Sequence, residues 1–307
     1  MDSCSGINEM RKGWLKLAAL FLPVVTGCLS HTRKLEQPQL IPVINPNVAQ
    51  LIEIINRRYQ QVSSLTATLD FAVSVSGSDR TEWTDYTSCS GYLLFRKPHM
   101  LRVLVLVPVL HTRVMDLASD GTTFTLFIPP KNRAIEGKNT VTKISLNPLE
   151  NLRPNVFLDT FLVREIAPNE MVSVIHERTM KKNGRTKRLM ESPEYDLTVF
   201  DDVPRSADSA PVQIAKPQRV IRFTQDDLLP IGQDIYDANG NLETEVVYGP
   251  YRNFDGGIVF PSTIDINRPF EGYRIRLTVS KLAVNQPVTD DTFELKIPKG
   301  IQVEKVE

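Results

Sequence analysis

The chain has 307 residues with 36 Lys+Arg against 36 Asp+Glu, so its formal net charge is zero and no overall basic field is available to recruit nucleic acid. Its three cysteines, Cys4, Cys28 and Cys89, are too few for a disulfide framework or a cysteine-held metal cluster, so stability has to come from a hydrophobic core. In chain order, Arg11, Lys12 and Lys16 give a basic start, and residues 17–25 are apolar and carry no charge. This run is much shorter than the roughly 20 apolar residues that a membrane-crossing helix needs. It reads as the apolar core of an export signal, with the basic flank held on the cytoplasmic side.

The run ends in Val25-Thr26-Gly27-Cys28. Small residues let the chain lie extended in a peptidase groove, and the thiol that follows is available for acylation. The arrangement resembles the lipobox of bacterial lipoproteins. The resemblance implies cleavage before Cys28 and lipid chains on that cysteine, each buried methylene contributing about 0.8 kcal/mol to anchoring. Met1 or Met10 serves as initiator. Leu29 stands where an aspartate favours inner-membrane retention in enterobacterial sorting, which points to an outer-membrane anchor facing the periplasm. The expected layout is a signal peptide over 1–27, a lipidated N-terminus and tether over 28–46 and one domain over 47–307, with about 280 residues remaining after cleavage.

Asn45-Pro46 reads as a helix start, with Pro46 in the first turn, where its missing N–H costs nothing. Val48, Leu51, Ile52, Ile55 and Tyr59 follow at helical spacing. The period then switches to two: Leu65, Ala67, Leu69, Phe71, Val73 and Val75 alternate with mostly polar residues, which is a long strand with one apolar face. Strands are expected at 91–96, 100–107, 112–119 and 122–128, joined by short turns and therefore antiparallel. A second helix is expected over 148–166. Strands resume at 171–177 and 195–200, flanked by polar stretches at 178–193 and 201–217 that read as long loops. Lys181, Lys182, Arg185, Lys187 and Arg188 fall in the first of these and read as a solvated run. Strands at 219–223, 231–236, 242–248, 258–267 and 273–284 follow, with a primed turn at Asn239-Gly240. Phe293, Leu295 and Ile297 read as a terminal strand.

These elements describe an α+β, mainly β fold in which helices cover the concave face of a strongly curved antiparallel sheet. Gly91-Tyr92-Leu93-Leu94-Phe95-Arg96-Lys97-Pro98, Ser119-Asp120-Gly121, Phe260-Pro261-Ser262-Thr263-Ile264 and Leu282-Ala283-Val284-Asn285 occur in that order. In these motifs the chain resembles the lipoprotein-localisation carrier and receptor superfamily (LolA/LolB-like). The resemblance implies an unclosed β-barrel, or half-barrel, lidded by helices over an apolar cavity that takes a lipid or a lipoprotein acyl chain. Leu69, Phe71, Val73, Leu94, Val103, Val105, Met115, Leu117, Phe124 and Leu126 are the expected cavity lining, although the same residues fit a filled core. Val107, Pro108, Val109 and Leu110 fall where receptor-type members carry a membrane-contact loop, since proline interrupts the ladder and exposes the turn. The polar insertion near 178–217 departs from the short carriers.

No G-x-S-x-G elbow, H-E-x-x-H pair or phosphate-binding glycine loop occurs in the sequence. Asp226-Asp227 and Asp290-Asp291 are neighbours that suit turns and caps, and Asp237-Ala238-Asn239-Gly240-Asn241 has the wrong spacing for a calcium loop. The expectation is a protein without enzymatic activity, metal or cofactor. Its expected partners are a membrane and an acyl chain, with other envelope proteins as partners if the half-barrel is filled and acts as an interaction module.

Overall fold

The computed structural model describes residues 44–77, 81–140, 145, 147–182, 189–201 and 215–306. The signal segment, Cys28 and residues 29–43 of the tether lie outside the described residues. The chain divides into two units, of which Met1–Gln39 with Lys182–Met190 is described only at three strand residues. The other unit, Leu40–Lys181 with Glu191–Glu307, carries both helices and nearly all of the sheet.

Helix α1 is Val48–Gln60. It starts two residues later than expected, because Asn47 takes the cap: its Oδ1 accepts the Gln50 N–H at 2.9 Å and the Gln50 Oε1 accepts the Asn47 N–H at 2.9 Å. This reciprocal box satisfies two of the amides that a helix start leaves open, and Pro46 stands outside the helix. Leu51 and Ile55 are the buried stripe. Arg57 and Arg58 in the last turn oppose the negative end of the helix dipole. The ammonium of Lys97 donates to the Tyr59 carbonyl and sits 3.4 Å from the centre of the Tyr59 ring, which ties the helix end to the turn at 97–99.

The first half of the sheet is a meander: β1 (Ser64–Ser76), β2 (Trp83–Asp85), β3 (Cys89–Arg96), β4 (Met100–Leu106), β5 (Arg113–Ser119), β6 (Thr123–Ile128) and β7 (Arg133–Lys138). Helix α2 (Pro154–Phe161) follows. The expected 148–166 helix is shorter because Pro154 forces Arg153 into extended backbone (φ −125°, ψ 152°), leaving only a 3-10 turn at Pro148–Asn151. Then come β8 (Met171–Lys182), β9 (Leu189–Phe200), β10 (Pro217–Thr224), β11 (Pro230–Tyr236), β12 (Leu242–Tyr248), β13 (Tyr251–Phe254), β14 (Ile258–Pro261), β15 (Thr263–Arg268), β16 (Tyr273–Val284) and β17 (Gln302–Val306).

Strands lie in the order β17-β7-β6-β5-β4-β3-β1-β16-β15-β12-β11-β10-β9-β8, with β2 added beside β1 and β13–β14 forming a separate hairpin. The central join is β1 with β16, running from Leu65↔Val284 to Val75↔Tyr273. Its register slips between Thr68 and Leu69, where Ser280 is left over and its hydroxyl donates to the Thr68 carbonyl at 2.9 Å. A bulge of this kind bends a strand, and the sheet is curved and not closed into a barrel. Among the described residues the pairings with a given register are antiparallel, β17 with β7 excepted, which is parallel.

Three expectations need correction. Residues 178–182 and 189–193 of the polar stretch are strand and not loop, because β8 and β9 extend into it with no apolar run to mark them, and residues 183–188 lie outside the described residues. Of 201–217, residues 202–214 lie outside the described residues and Pro217 opens β10. Phe293, Leu295 and Ile297 make no terminal strand, because a 3-10 turn occupies Asp290–Phe293 and the last strand is β17. The Asn239-Gly240 turn is not primed: only Gly240 has positive φ (86°), and the turn closes through Asp237, whose carboxylate accepts the Asn239 and Asn241 amides at 2.8 Å each.

Two apolar clusters result. Leu65, Ala67, Leu69 and Phe71 of β1, with the facing residues of β3–β6, bury the Leu152, Val156, Phe157 and Phe161 side of α2. Leu51 and Ile55 of α1 pack on Tyr195, Leu197, Val199, Ile221 and Phe223 of β9 and β10. Each fully buried aliphatic or aromatic side chain contributes roughly 1.5–3 kcal/mol. The other face of β3–β5 is also covered. Arg102 Nη1 donates to the carbonyls of Thr292 (3.0 Å) and Glu294 (2.9 Å), and Arg96 Nη1 to that of Val288 (2.7 Å). These bonds strap 288–294 across the sheet and deliver β17 to its place beside β7.

Candidate functional site

An apolar recess of about 580 Å³ lies where the end of α1, the end of α2, the β10–β11 turn and the β13–β14 hairpin converge over the start of β1. Leu65, Phe161, Leu162, Phe223, Leu229, Ile258, Phe260 and Val284 give it hydrocarbon walls. Phe161 stacks with Phe260 at 6.0 Å, and Phe260 meets Phe254 edge-on at 6.5 Å, which holds the hairpin as one wall.

Polar groups in this wall are already engaged. The Tyr251 hydroxyl donates to the Pro230 carbonyl at 2.7 Å. That of Tyr248 donates to the Thr160 carbonyl at 2.9 Å and accepts from Gln233 Nε2 at 2.8 Å. Burial pushes both phenols well above their ordinary range, so both stay neutral donors. At the rim, Arg58 donates to the carbonyls of Leu228 and, at 3.4 Å, Asp227. Burial pulls its pKa down, opposed by Tyr251 and Asp227. Leu228 is held in left-handed backbone (φ 56°), a strained state for a branched residue that the Arg58 bond helps to fix. What is left facing the void is mainly hydrocarbon, which suits a hydrophobe better than a polar ligand.

None of the ten expected lining residues borders this recess. Leu69, Phe71, Val103, Val105, Leu117, Phe124 and Leu126 are buried together in the core beneath α2, with Val73 and Met115 packed at its margin. Leu94 does not join them. It pairs with Thr66 and Arg102, on the opposite face from Leu93 and Phe95. The sequence gives β3 apolar residues on both faces, so only the pairing with β1 decides which side is which. The walls of this recess come from separated segments, and the one local signal for them is the aromatic set Tyr248, Tyr251 and Phe260, with Phe254 behind Phe260.

The tip expected at 107–110 is exposed. The Val107 N–H bonds the Thr112 carbonyl at 2.9 Å and the His111 N–H bonds the Val107 carbonyl at 3.0 Å, closing a tight loop. Val109 (φ 69°) and His111 (φ 51°) adopt left-handed backbone, and Val109 and Leu110 are 89% and 74% exposed. Positive φ in a β-branched residue is rare enough to need a reason. In register, Leu65 aligns with Phe95 and Leu101, so the tip lies about 20 Å along β4 from the level of the recess wall.

Among the described residues no group of three or more His, Cys, Asp or Glu is arranged to hold a metal, and no helix is long and apolar enough to cross a membrane. Cys89 is a free thiol whose pKa burial pushes up.

No family model matches the sequence, and no curated protein matches it. Among solved structures the chain is similar to a LolA superfamily protein from Nitrosomonas europaea, at 11% identity and TM-score 0.50, covering 82% of this chain and 99% of that one. It also aligns with a DUF1329 family protein from Desulfovibrio piger (13% identity, TM-score 0.48, 80% and 95% covered). A third is an outer membrane lipoprotein-sorting protein domain from Vibrio parahaemolyticus (13%, 0.46, 80% and 94%). The fold assignment rests on the first of these. With its open curved sheet and its helices packed on one face, the chain has a LolA/LolB-like fold.

Proposed function

We propose that this chain is a membrane-anchored, non-enzymatic protein of the cell envelope that holds a lipid or a lipoprotein acyl chain. The observation that carries the reading is the recess of about 580 Å³ with hydrocarbon walls and internally satisfied polar groups. Its volume falls in the range of roughly 300–1,000 Å³ usual for small-ligand sites. In this reading Cys28 carries the lipid anchor at the outer membrane, and Val107, Pro108, Val109 and Leu110 touch lipid, the reason that exposed branched side chains on a strained turn require. The fold of the Nitrosomonas protein supports a carrier-type architecture and says nothing of cargo.

Organic extraction of the purified chain followed by lipid mass spectrometry, with titration of a fluorescent fatty acid, tests the cavity. Saturable binding of one fatty acid per chain, displaced by unlabelled palmitate, is expected. Absence of both co-purified lipid and saturable binding rejects the carrier reading and leaves an interaction module with a filled half-barrel. Mass spectrometry of the mature N-terminus tests Cys28.

A further inference from the structure

Three of the exposed aromatic side chains, Trp83, Tyr86 and Phe270, gather with Val109 and Leu110 at one end of the sheet. Beside the 107–112 turn, the Tyr86 N–H bonds the Val73 carbonyl at 2.9 Å, in the lane that β3 leaves free before Cys89. Trp83, three residues back, pairs with Ser76. Ser76 donates its N–H to the Gly272 carbonyl at 2.8 Å, and Gly272 closes the turn that carries Phe270. Backbone bonds thus string Tyr86, Trp83 and Phe270 along neighbouring strand ends, and the register Ser90↔Leu106 sets the Val109–Leu110 tip one lane further on, a line about four strand spacings or roughly 20 Å across the strands. Tyr86, Trp83 and Phe270 are 52%, 38% and 51% exposed. Among the described residues only one other aromatic, Tyr92, is exposed to this degree, so the clustering is specific to this end.

The charges around the line are of both signs. The Arg274 guanidinium stands 4.1 Å over the Trp83 ring and donates to the neutral Asn267 amide oxygen at 3.3 Å. Asp85 accepts the Ser74 hydroxyl at 2.6 Å, Glu271 is paired with Arg268, and Glu82 lies exposed next to Trp83. A zwitterionic headgroup matches this, with phosphate for Arg274 and ammonium for Glu82. Trp and Tyr, apolar rings with a polar tip, favour the boundary of headgroup and hydrocarbon. A line one side chain wide has no buried centre of the kind that a stable protein interface of about 800 Å² per partner needs.

We propose that this row of strand ends is a membrane-docking edge seated in the headgroup boundary of a zwitterionic phospholipid bilayer. The proposal rests on the reading of the 107–110 tip as a lipid contact and extends it from one loop to five side chains across neighbouring strand ends. Docked this way, the level of the recess wall at Leu65 stands about 20 Å along β4 from the start of the 107–110 tip and about 36 Å along β1 from Trp83.

The chain has two tryptophans, Trp14 and Trp83. The chain from residue 28 onward, carrying Cys28→Ser, therefore has Trp83 as its one tryptophan, no acylation site and none of the apolar 17–25 run that would itself enter lipid. It is mixed with phosphatidylcholine–phosphatidylethanolamine vesicles, with and without bromine-labelled acyl chains, and floated on a density gradient. The expected result is flotation, a shift of Trp83 emission to shorter wavelength and quenching by bromine. Phe270→Glu, and separately Tyr86→Glu, should each lower vesicle partitioning by about tenfold with an unchanged melting temperature. Flotation that is lost in Leu110→Glu, with Trp83 unshifted and unquenched and both other variants floating normally, overturns the row and leaves the tip reading standing. No flotation at all overturns both.

Discussion

Arg102 and Asp116 meet as a two-pronged ion pair on the face of the sheet away from α2, with Nε to Oδ1 at 3.0 Å and Nη2 to Oδ2 at 2.9 Å. Arg113 adds a third contact to the fully buried carboxylate at 3.0 Å. The same Arg102 holds the strap carbonyls of Thr292 and Glu294, so the pair orients the group that fixes the C-terminal segment. Asp116→Ala should cost about 3 kcal/mol, since it leaves the poorly solvated Arg102 without its counter-charge. Urea unfolding should show a lower midpoint with the slope unchanged. Hydrogen exchange should speed up across 288–306, and retained protection there would show that the strap is held independently.

Filling the recess and hollowing the core should have opposite signatures. Leu229→Trp places a larger side chain in the cavity wall and should weaken fluorescent fatty-acid binding at least about tenfold with little change in melting. Leu126→Ala, in the filled core beneath α2, should cost about 2–5 kcal/mol and leave the affinity of the folded protein nearly unaltered. If Leu126→Ala abolishes binding in chains that remain folded, the ligand occupies the space under α2 instead.

Gly91 marks a close approach. A Cβ built there would sit 2.1 Å from the Leu104 carbonyl oxygen and 2.9 Å from the Phe71 ring. Gly91→Ala must therefore push β3 and β4 apart, at a cost of about 2–3 kcal/mol. Thermal unfolding checks this, and a melting temperature equal to that of the parent chain would contradict the packing at β1–β3–β4.

The turn after β5 gives a pH signature. Burial tends to raise the Asp120 pKa, but the amides of Thr122 and Thr123 (2.7 Å each) and the Thr123 hydroxyl (3.0 Å) outweigh it and hold the carboxyl below its ordinary 3.8. The folded chain therefore binds this proton less readily than the unfolded chain. The stabilisation is complete above the ordinary value and fades as pH falls through the lowered one. Asp120→Ala should cost about 0.5–1 kcal/mol at pH 7, with the two melting curves converging as pH falls below the ordinary value and through the lowered one. A constant difference at all pH values would assign the effect to turn shape alone.

Strand β1 was legible because one face is apolar at every second residue from Leu65 to Val75, a pattern that fits a strand and no helix. The tip was legible because Pro108 breaks the ladder between two apolar runs. Leu94 was misplaced because β3 is apolar on both faces, and parity there is set by a partner strand rather than by local sequence. The strap was unreadable for a related reason: Phe293, Leu295 and Ile297 alternate like a strand, yet Arg96 and Arg102 capture the nearby carbonyls. The recess escaped because its walls join residues from Ile55 to Val284, and no periodicity connects them.

The β1–β16 join pairs Leu65 with Val284, and β7 waits for Gln302–Val306. A chain synthesised N-terminus first therefore exposes the inner edge of β1 until β16 has emerged and the outer edge of β7 until β17 has. Contacts so distant in sequence make for slow assembly, and unpaired edges invite aggregation in the interval. Premature termination after β12 but before β16 would leave two half-sheets with nothing to join them, so a nonsense mutation that late should be as damaging as an early one.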